Sequence, residues 1–120
     1  MALRAKSHTR FMLVTDAMPN VGADVDHFML QGKRIEVRDG ICMDENGTLS
    51  GSALDMASAV RNTVNMLELP LEQAARMASA NPAQFLGVGD EYGRIAPGYR
   101  ASLVALDDRL QVQATWIDGK

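Results

Sequence analysis

A mixed α/β fold is what this sequence predicts, and three observations carry the prediction. Phe11-Met12-Leu13-Val14 is an unbroken apolar run, which reads as a strand buried on both faces, the kind found in parallel sheets. From Phe28 to Met43, short apolar runs are separated by turn residues, the mark of a β-meander. After that come two stretches with helical spacing, and finally two more strand-like runs.

The first run stops at Thr15-Asp16, and Pro19 soon bars regular pairing. A carboxylate at the carboxyl end of a buried parallel strand is where α/β sheets and barrels place their chemistry. Asp also caps turns through its side chain, so this run alone leaves both roles open for Asp16. Ahead of it, Met1 to Arg10 is polar and basic and reads as a short helical end or loop. His8 in that stretch is expected to be solvated, because no second ligand lies at helical or strand spacing.

The meander begins with Phe28 to Leu30 and turns at Gln31-Gly32-Lys33. Ile35 and Val37 then alternate with Arg34, Glu36 and Arg38, the pattern of a half-exposed strand. Asp39-Gly40 is a two-residue hairpin signal, after which Ile41-Cys42-Met43 returns and Asp44-Glu45-Asn46-Gly47 turns again. Asp39, Asp44 and Glu45 are read as solvated turn acids, since the spacing of an EF-hand calcium loop is absent. A structural or exposed role is expected for His27.

Ser52 followed by Asp55 has the spacing of a capping box, and Met56, Val60, Val64 and Leu67 recur at helical intervals. A helix of about four turns is expected there. Leu49-Ser50-Gly51 would then lie just before a helix N-terminus, either as a plain cap or as a place where free N–H groups meet an oxygen-rich ligand. Pro70 suits the first position of a second helix, with Leu71, Ala74, Ala75 and Ala78 on a small-residue face. Asn81-Pro82 is expected to break that helix, and Gly87 to end a short turn from Ala83 to Leu86. The segment Val88 to Gly98 reads as irregular, Ala101 to Leu106 and Gln111 to Ile117 as strands, and Asp107-Asp108 as their turn.

The 120 residues suffice for one ordinary domain, and 47% apolar content fits a globular core. Aromatic content is only 5%, and eight Met supply adaptable packing instead. Fifteen acids against twelve bases leave a net charge of −3, which argues against a nucleic-acid partner. Cys42 is the only cysteine, so no internal disulfide forms, and its apolar setting predicts an inert buried thiol. No run reaches membrane-spanning length and no signal-peptide core is present, so a cytoplasmic protein is the expectation. One feature is out of place. A strand buried on both faces needs parallel neighbours, and no other run of that kind exists here, so the chain is expected to be part of something larger.

Three segments carry a family resemblance: Val14-Thr15-Asp16-Ala17-Met18, Glu45-Asn46-Gly47-Thr48-Leu49-Ser50-Gly51-Ser52 and Gly93-Arg94-Ile95-Ala96-Pro97-Gly98. In this order, joined by Val60-Arg61-Asn62 and Met77-Ala78-Ser79, they resemble the N-acetylglucosamine-6-phosphate deacetylases of the amidohydrolase superfamily. The resemblance implies a TIM-like barrel with a small β-sandwich built from both chain ends. Residues 1–87 would be the closing segment of the barrel, with its last strand, a β-hairpin insert and two helices. Residues 88–120 would be strands returning to the sandwich. A whole barrel takes about 250 residues, so only its C-terminal part is expected in this chain.

The implied reaction removes the acetyl group of N-acetylglucosamine 6-phosphate, giving glucosamine 6-phosphate and acetate. Asp16 matches the family's catalytic carboxylate, and Leu49, Ser50 and Gly51 match main-chain positions that hold the sugar. The family's divalent metal, commonly zinc, takes a Glu and two His from earlier strands. Nothing here matches those ligands, and neither His8 nor His27 falls at their positions. The phosphate-binding groups are unmatched too, so this chain alone is expected to be inactive. At Ser102 many amidohydrolases carry Asp, a departure expected to alter only local capping. The implied partner is an amino-sugar phosphate, with a homo-oligomer expected and neither nucleic acid nor membrane. A non-catalytic binding or assembly module, and another amidohydrolase such as a deaminase or dihydroorotase, are the competing readings.

Overall fold

The computed structural model describes residues 10–120. The expectations for Met1 to Thr9, His8 among them, lie outside the described residues. Two compact units emerge, one formed by Val14–Ala59 and the other, among the described residues, by residues 10–13 together with Val60–Lys120.

The first unit is built on a four-stranded antiparallel meander of β1 (His27–Leu30), β2 (Lys33–Arg38), β3 (Ile41–Asp44) and β4 (Leu49–Ser52), in that spatial order. Local chemistry sets its register. Gln31-Gly32 and Asp39-Gly40 both have positive φ at each central residue, which matches the right-handed twist of the flanking strands. Those turns pair Leu30 with Lys33 and Arg38 with Ile41. At the third turn the Asp44 carboxylate accepts from the backbone N–H of Asn46 and of Thr48, each at 2.9 Å. The Thr48 bond in particular holds that carboxyl below its ordinary value. Ile35 and Cys42 are the buried side chains of this sheet.

The strand β4 was not foreseen. Leu49-Ser50-Gly51-Ser52 lacks the β-branched run that marks a strand, yet it pairs with β3 through an irregularity at Cys42/Met43. Ser52 is therefore not the helix cap that its spacing suggested. Asp55 takes that part, its carboxylate accepting from the Ser58 N–H at 2.8 Å and from the Ser58 hydroxyl at 2.5 Å. Helix α1 (Met56–Leu67) follows, with twelve residues, or about three turns rather than four.

The apolar segment at the start also differs from expectation. Residues 11–16 form no regular element and join no ladder, and Val14 is 80% exposed. A strand is buried on two faces only when neighbours cover both, and here Phe11, Met12 and Leu13 are part-buried while Val14 is exposed. Two bonds fix its start within the second unit: the Leu13 N–H donates to the Met77 carbonyl at 2.9 Å, and the Asn81 side-chain amide donates to the Phe11 carbonyl at 2.7 Å.

In that second unit, α2 (Leu71–Ala78) and α3 (Ala80–Phe85) are consecutive helices. Pro70 precedes the first helical position by one residue, and its carbonyl accepts from Gln73 and Ala74. The buried face of α2 is Ala74 and Met77, while Leu71 and Ala75 are exposed. The break between the helices falls at Ser79, whose φ of −132° and ψ of −71° leave the helical region. Asn81-Pro82 was expected to be the breaker but lies in the first turn of α3, where proline's missing N–H costs nothing. Gly87 ends α3 as foreseen, with φ +74°. Its N–H donates to Gln84 and that of Val88 to Ala83, so two otherwise orphaned carbonyls are satisfied.

Strands β5 (Leu103–Leu106) and β6 (Val112–Trp116) form a two-stranded antiparallel pair, with Asp107 closing the turn by accepting from Arg109 and Gln111. The Asp118 N–H reaches the Ser102 hydroxyl at 3.4 Å, which fits a local capping part for Ser102.

Arg100 holds Asp118 in a fork, with Nε donating to Oδ1 at 2.7 Å and Nη2 donating to Oδ2, while its guanidinium lies over the Tyr92 ring. The hydrogen bond from Arg100 keeps the Asp118 carboxyl below its ordinary value. A lowered folded-state value means that the pair supports the fold at neutral pH, and that this support fades as acid carries the pH down through the folded value. In Arg100→Gln the Asp118 carboxyl, followed by carbon NMR, is expected to titrate at a higher pH than in the parent chain. An unchanged midpoint would refute the coupling. Among the described residues no helix is long and apolar enough to cross a membrane.

Candidate active site

Asp16 is exposed and stands just after the apolar run Phe11 to Val14, with its backbone at φ +52°. Positive φ is uncommon outside glycine, although Asp and Asn tolerate it better than other residues. The other such residues among those described sit at turns or at a helix end. Asp16 belongs to neither, and its geometry is fixed from a distance. The Ser52 N–H donates to the Asp16 carbonyl at 2.9 Å, and the Ser52 hydroxyl donates to the Thr15 carbonyl at 2.5 Å. Two residues on, the Met18 N–H donates to the Ser52 carbonyl at 2.9 Å, so Ala17 and Ser52 form an isolated parallel bridge.

Gly51 is what allows this approach. Its φ is +136°, and a Cβ built there would lie 2.6 Å from Met18 Cγ and 2.9 Å from the Asp16 carbonyl oxygen. No other residue fits without moving the segment that carries Asp16. Of the residues singled out from sequence, the structure thus brings Asp16 and Gly51 together. Leu49 and Ser50 share β4 with Gly51; Leu49 points a largely exposed side chain outward, and the Ser50 hydroxyl donates to the Thr48 carbonyl at 3.3 Å. These are strand positions, not the free N–H groups of a helix N-terminus, because α1 starts only at Met56. Ser52 and Met18 were missed, and no sequence signal could have shown that they meet Thr15 and Asp16.

Behind β4, Cys42 is fully buried on β3 beside the buried Asn20, its thiol facing Asn20 Oδ1 at 3.6 Å. Burial pushes that thiol up, against the pull of Asn20 and with some help from the Asp16 charge, so it is inert as expected. His27 is half-exposed and pairs with Asp26 at 2.5 Å, which lowers the Asp26 carboxyl. Among the described residues no three His, Cys, Asp or Glu side chains gather to hold a metal ion. The residues here do not by themselves fit a metal centre, and Asp16 is the group whose chemistry can be followed.

The amidohydrolase family profile matches residues 4–120, and the chain belongs to that family. Its described residues are mixed α/β, and family membership with the structural neighbours below implies a TIM-barrel type of α/β fold. It is 44% identical over 120 residues to an N-acetylgalactosamine-6-phosphate deacetylase of Shewanella sp. (strain ANA-3), covering 99% of this chain and 30% of that protein. It is 40% identical over 111 residues to the human N-acetylglucosamine-6-phosphate deacetylase, covering 91% of this chain and 27% of that one. A crystal structure of N-acetylglucosamine-6-phosphate deacetylase from Pasteurella multocida superimposes with a TM-score of 0.87 at 40% identity, over 92% of this chain and 29% of that one. Another, from Mycobacterium smegmatis, is a variant in complex with N-acetyl-D-glucosamine-6-phosphate, with a TM-score of 0.84 at 34% identity over 95% of this chain and 31% of that chain. The chain therefore spans about 30% of the length of these relatives, and 66% of one from Escherichia coli.

Proposed function

We propose that this chain serves as the closing part of a deacetylase that converts N-acetylglucosamine 6-phosphate and water to glucosamine 6-phosphate and acetate. The observation that carries the reading is an exposed carboxylate, Asp16, just after an apolar segment and held beside the Gly51 backbone. In this reading residues 1–87 close the barrel and residues 88–120 add strands to a smaller sandwich.

Asp16 takes a proton from the water as its oxygen bonds to the acetyl carbon, and the carboxylic acid so formed holds that proton. When the C–N bond breaks, Asp16 hands the proton to the nitrogen, because a free amide anion is too basic to depart. The backbone of Leu49, Ser50 and Gly51 holds the sugar beside it, with the glycine admitting the segment that carries Asp16. A divalent metal, when bound, would supply Lewis-acid polarisation of the carbonyl. Its ligands are not among the described residues, and we assign them to other segments of the enzyme. A homo-oligomer remains part of this proposal.

A second reading has specific support, since the Shewanella relative is named for the galactosamine substrate. Both epimers should be offered to the purified enzyme that carries these residues, with acetate and free amine measured together. Equal yields of acetate and amine from the glucosamine derivative are expected. Preference for the galactosamine derivative would install the second reading, and release from neither would sink both.

A further inference from the structure

We propose that Ser52 is a positioning residue, whose hydroxyl and main chain hold Asp16 in the left-handed backbone conformation from which its carboxylate works. This rests on the role proposed for Asp16. The rotation of a residue about φ and ψ is the rotation between the peptide groups on either side of it. Ser52 binds both groups that flank Asp16. Its hydroxyl donates to the Thr15 carbonyl at 2.5 Å and its N–H to the Asp16 carbonyl at 2.9 Å. With the Met18 N–H donating back to the Ser52 carbonyl at 2.9 Å, three bonds from one residue span Asp16.

The Asp16 conformation needs such a clamp. Left-handed backbone is strained for a residue with a Cβ, and it persists only where surroundings over-determine it. The positive φ of Asp39 is met by its own hairpin turn and that of Asp118 by the chain-terminal turn, whereas Asp16 has no local turn to satisfy it. Ser52 is itself secured, for its hydroxyl also accepts from the Leu54 N–H at 3.1 Å and its strand is paired to β3 at Ile41. The hydroxyl thus links the end of the Asp16 segment to the chain leading into α1, and it does so through part-buried bonds that water competes for poorly.

Two readouts test this separately. In the 120-residue chain, positive φ brings the Asp16 amide proton close to its own Hα and gives a strong intraresidue NOE. That signal is expected to weaken in Ser52→Ala and to return in Ser52→Thr, which keeps the hydroxyl. A full-strength signal in Ser52→Ala overturns the proposal. Should that variant not fold, Ser52→Cys, with a weak donor at longer reach, is expected to weaken the signal part-way, and an unaltered signal again overturns the proposal. In the deacetylase carrying these residues, Ser52→Ala is expected to lower kcat about tenfold with KM unchanged, and Ser52→Thr to restore most of it, since misplacing a proton carrier harms the reaction step and not sugar binding. A rise in KM at constant kcat counts against positioning. The NOE is read without catalysis, so it stands or falls apart from the role of Asp16 in the reaction.

Discussion

Replacing Asp16 with Asn in the enzyme that carries this chain is expected to cut acetate release about 10²- to 10⁴-fold, the span of a lost general acid–base group. The substitution is chosen for what it leaves intact. Asn has the same shape and, like Asp, tolerates positive φ, so the backbone at +52° keeps its place against Ser52. What disappears is the capacity to take a proton from water and return it to the departing nitrogen. The expected signature is therefore a collapse of kcat with substrate affinity nearly unchanged, read by kinetics and by ligand titration of the inactive variant. Alanine would be a poorer choice, because it adds backbone strain to the lost chemistry. A variant retaining a third or more of the parent turnover would show that Asp16 does not carry the proton.

A loss of about 2–4 kcal/mol of stability is expected for Gly93→Ala, combining left-handed strain with overpacking. Gly93 has φ +89°, and a Cβ there would lie 2.8 Å from the Ala80 Cα and 2.9 Å from the Ser79 carbonyl oxygen. Both are backbone atoms at the start of α3, which cannot swing aside as a side-chain tip would. Gly98, five residues on, shares the +89° φ but has nothing within 4 Å of its missing Cβ. Gly98→Ala should therefore cost only the conformational part, about 1–2 kcal/mol. Denaturant midpoints of the two variants decide the matter, and equal losses would refute the packing argument. The two glycines of the Gly93–Gly98 motif thus have different duties: the first admits a helix end, the second only shapes a turn.

The sequence was most legible where the physics is local. Asp39-Gly40 and Gln31-Gly32 announce their hairpins because both residues of each pair must tolerate positive φ, and glycine at the second does so freely. Gly87 ends its helix for the same reason. Legibility failed where a distant partner decides. Leu49-Ser50-Gly51-Ser52 has weak strand propensity and is held in the sheet by β3, so its capping-box spacing pointed to the wrong structure. Pro82 reads as a breaker only if the helix boundary is unknown; three residues after Ser79 it is harmless. Phe11 to Val14 reads as a doubly buried strand because its side chains are apolar, but burial depends on neighbours, and those are not among the described residues. Asp16 is singled out in the sequence by its place after an apolar run. Ser52, which holds it, is not, since 36 positions separate them and no periodicity links the two.

The tight turn at Asp39-Gly40 lies far along the chain from Asp16, yet it meters how much backbone is fed into β3 and hence where β4 arrives. Side chains alternate faces along a strand, so gaining or losing a single residue between Gly40 and the irregularity at Cys42/Met43 would turn the β3 positions opposite Ser52 to the other face. Ser52 would then present its hydroxyl to the wrong side. The hairpin thus serves as a ruler for a carboxylate it never touches.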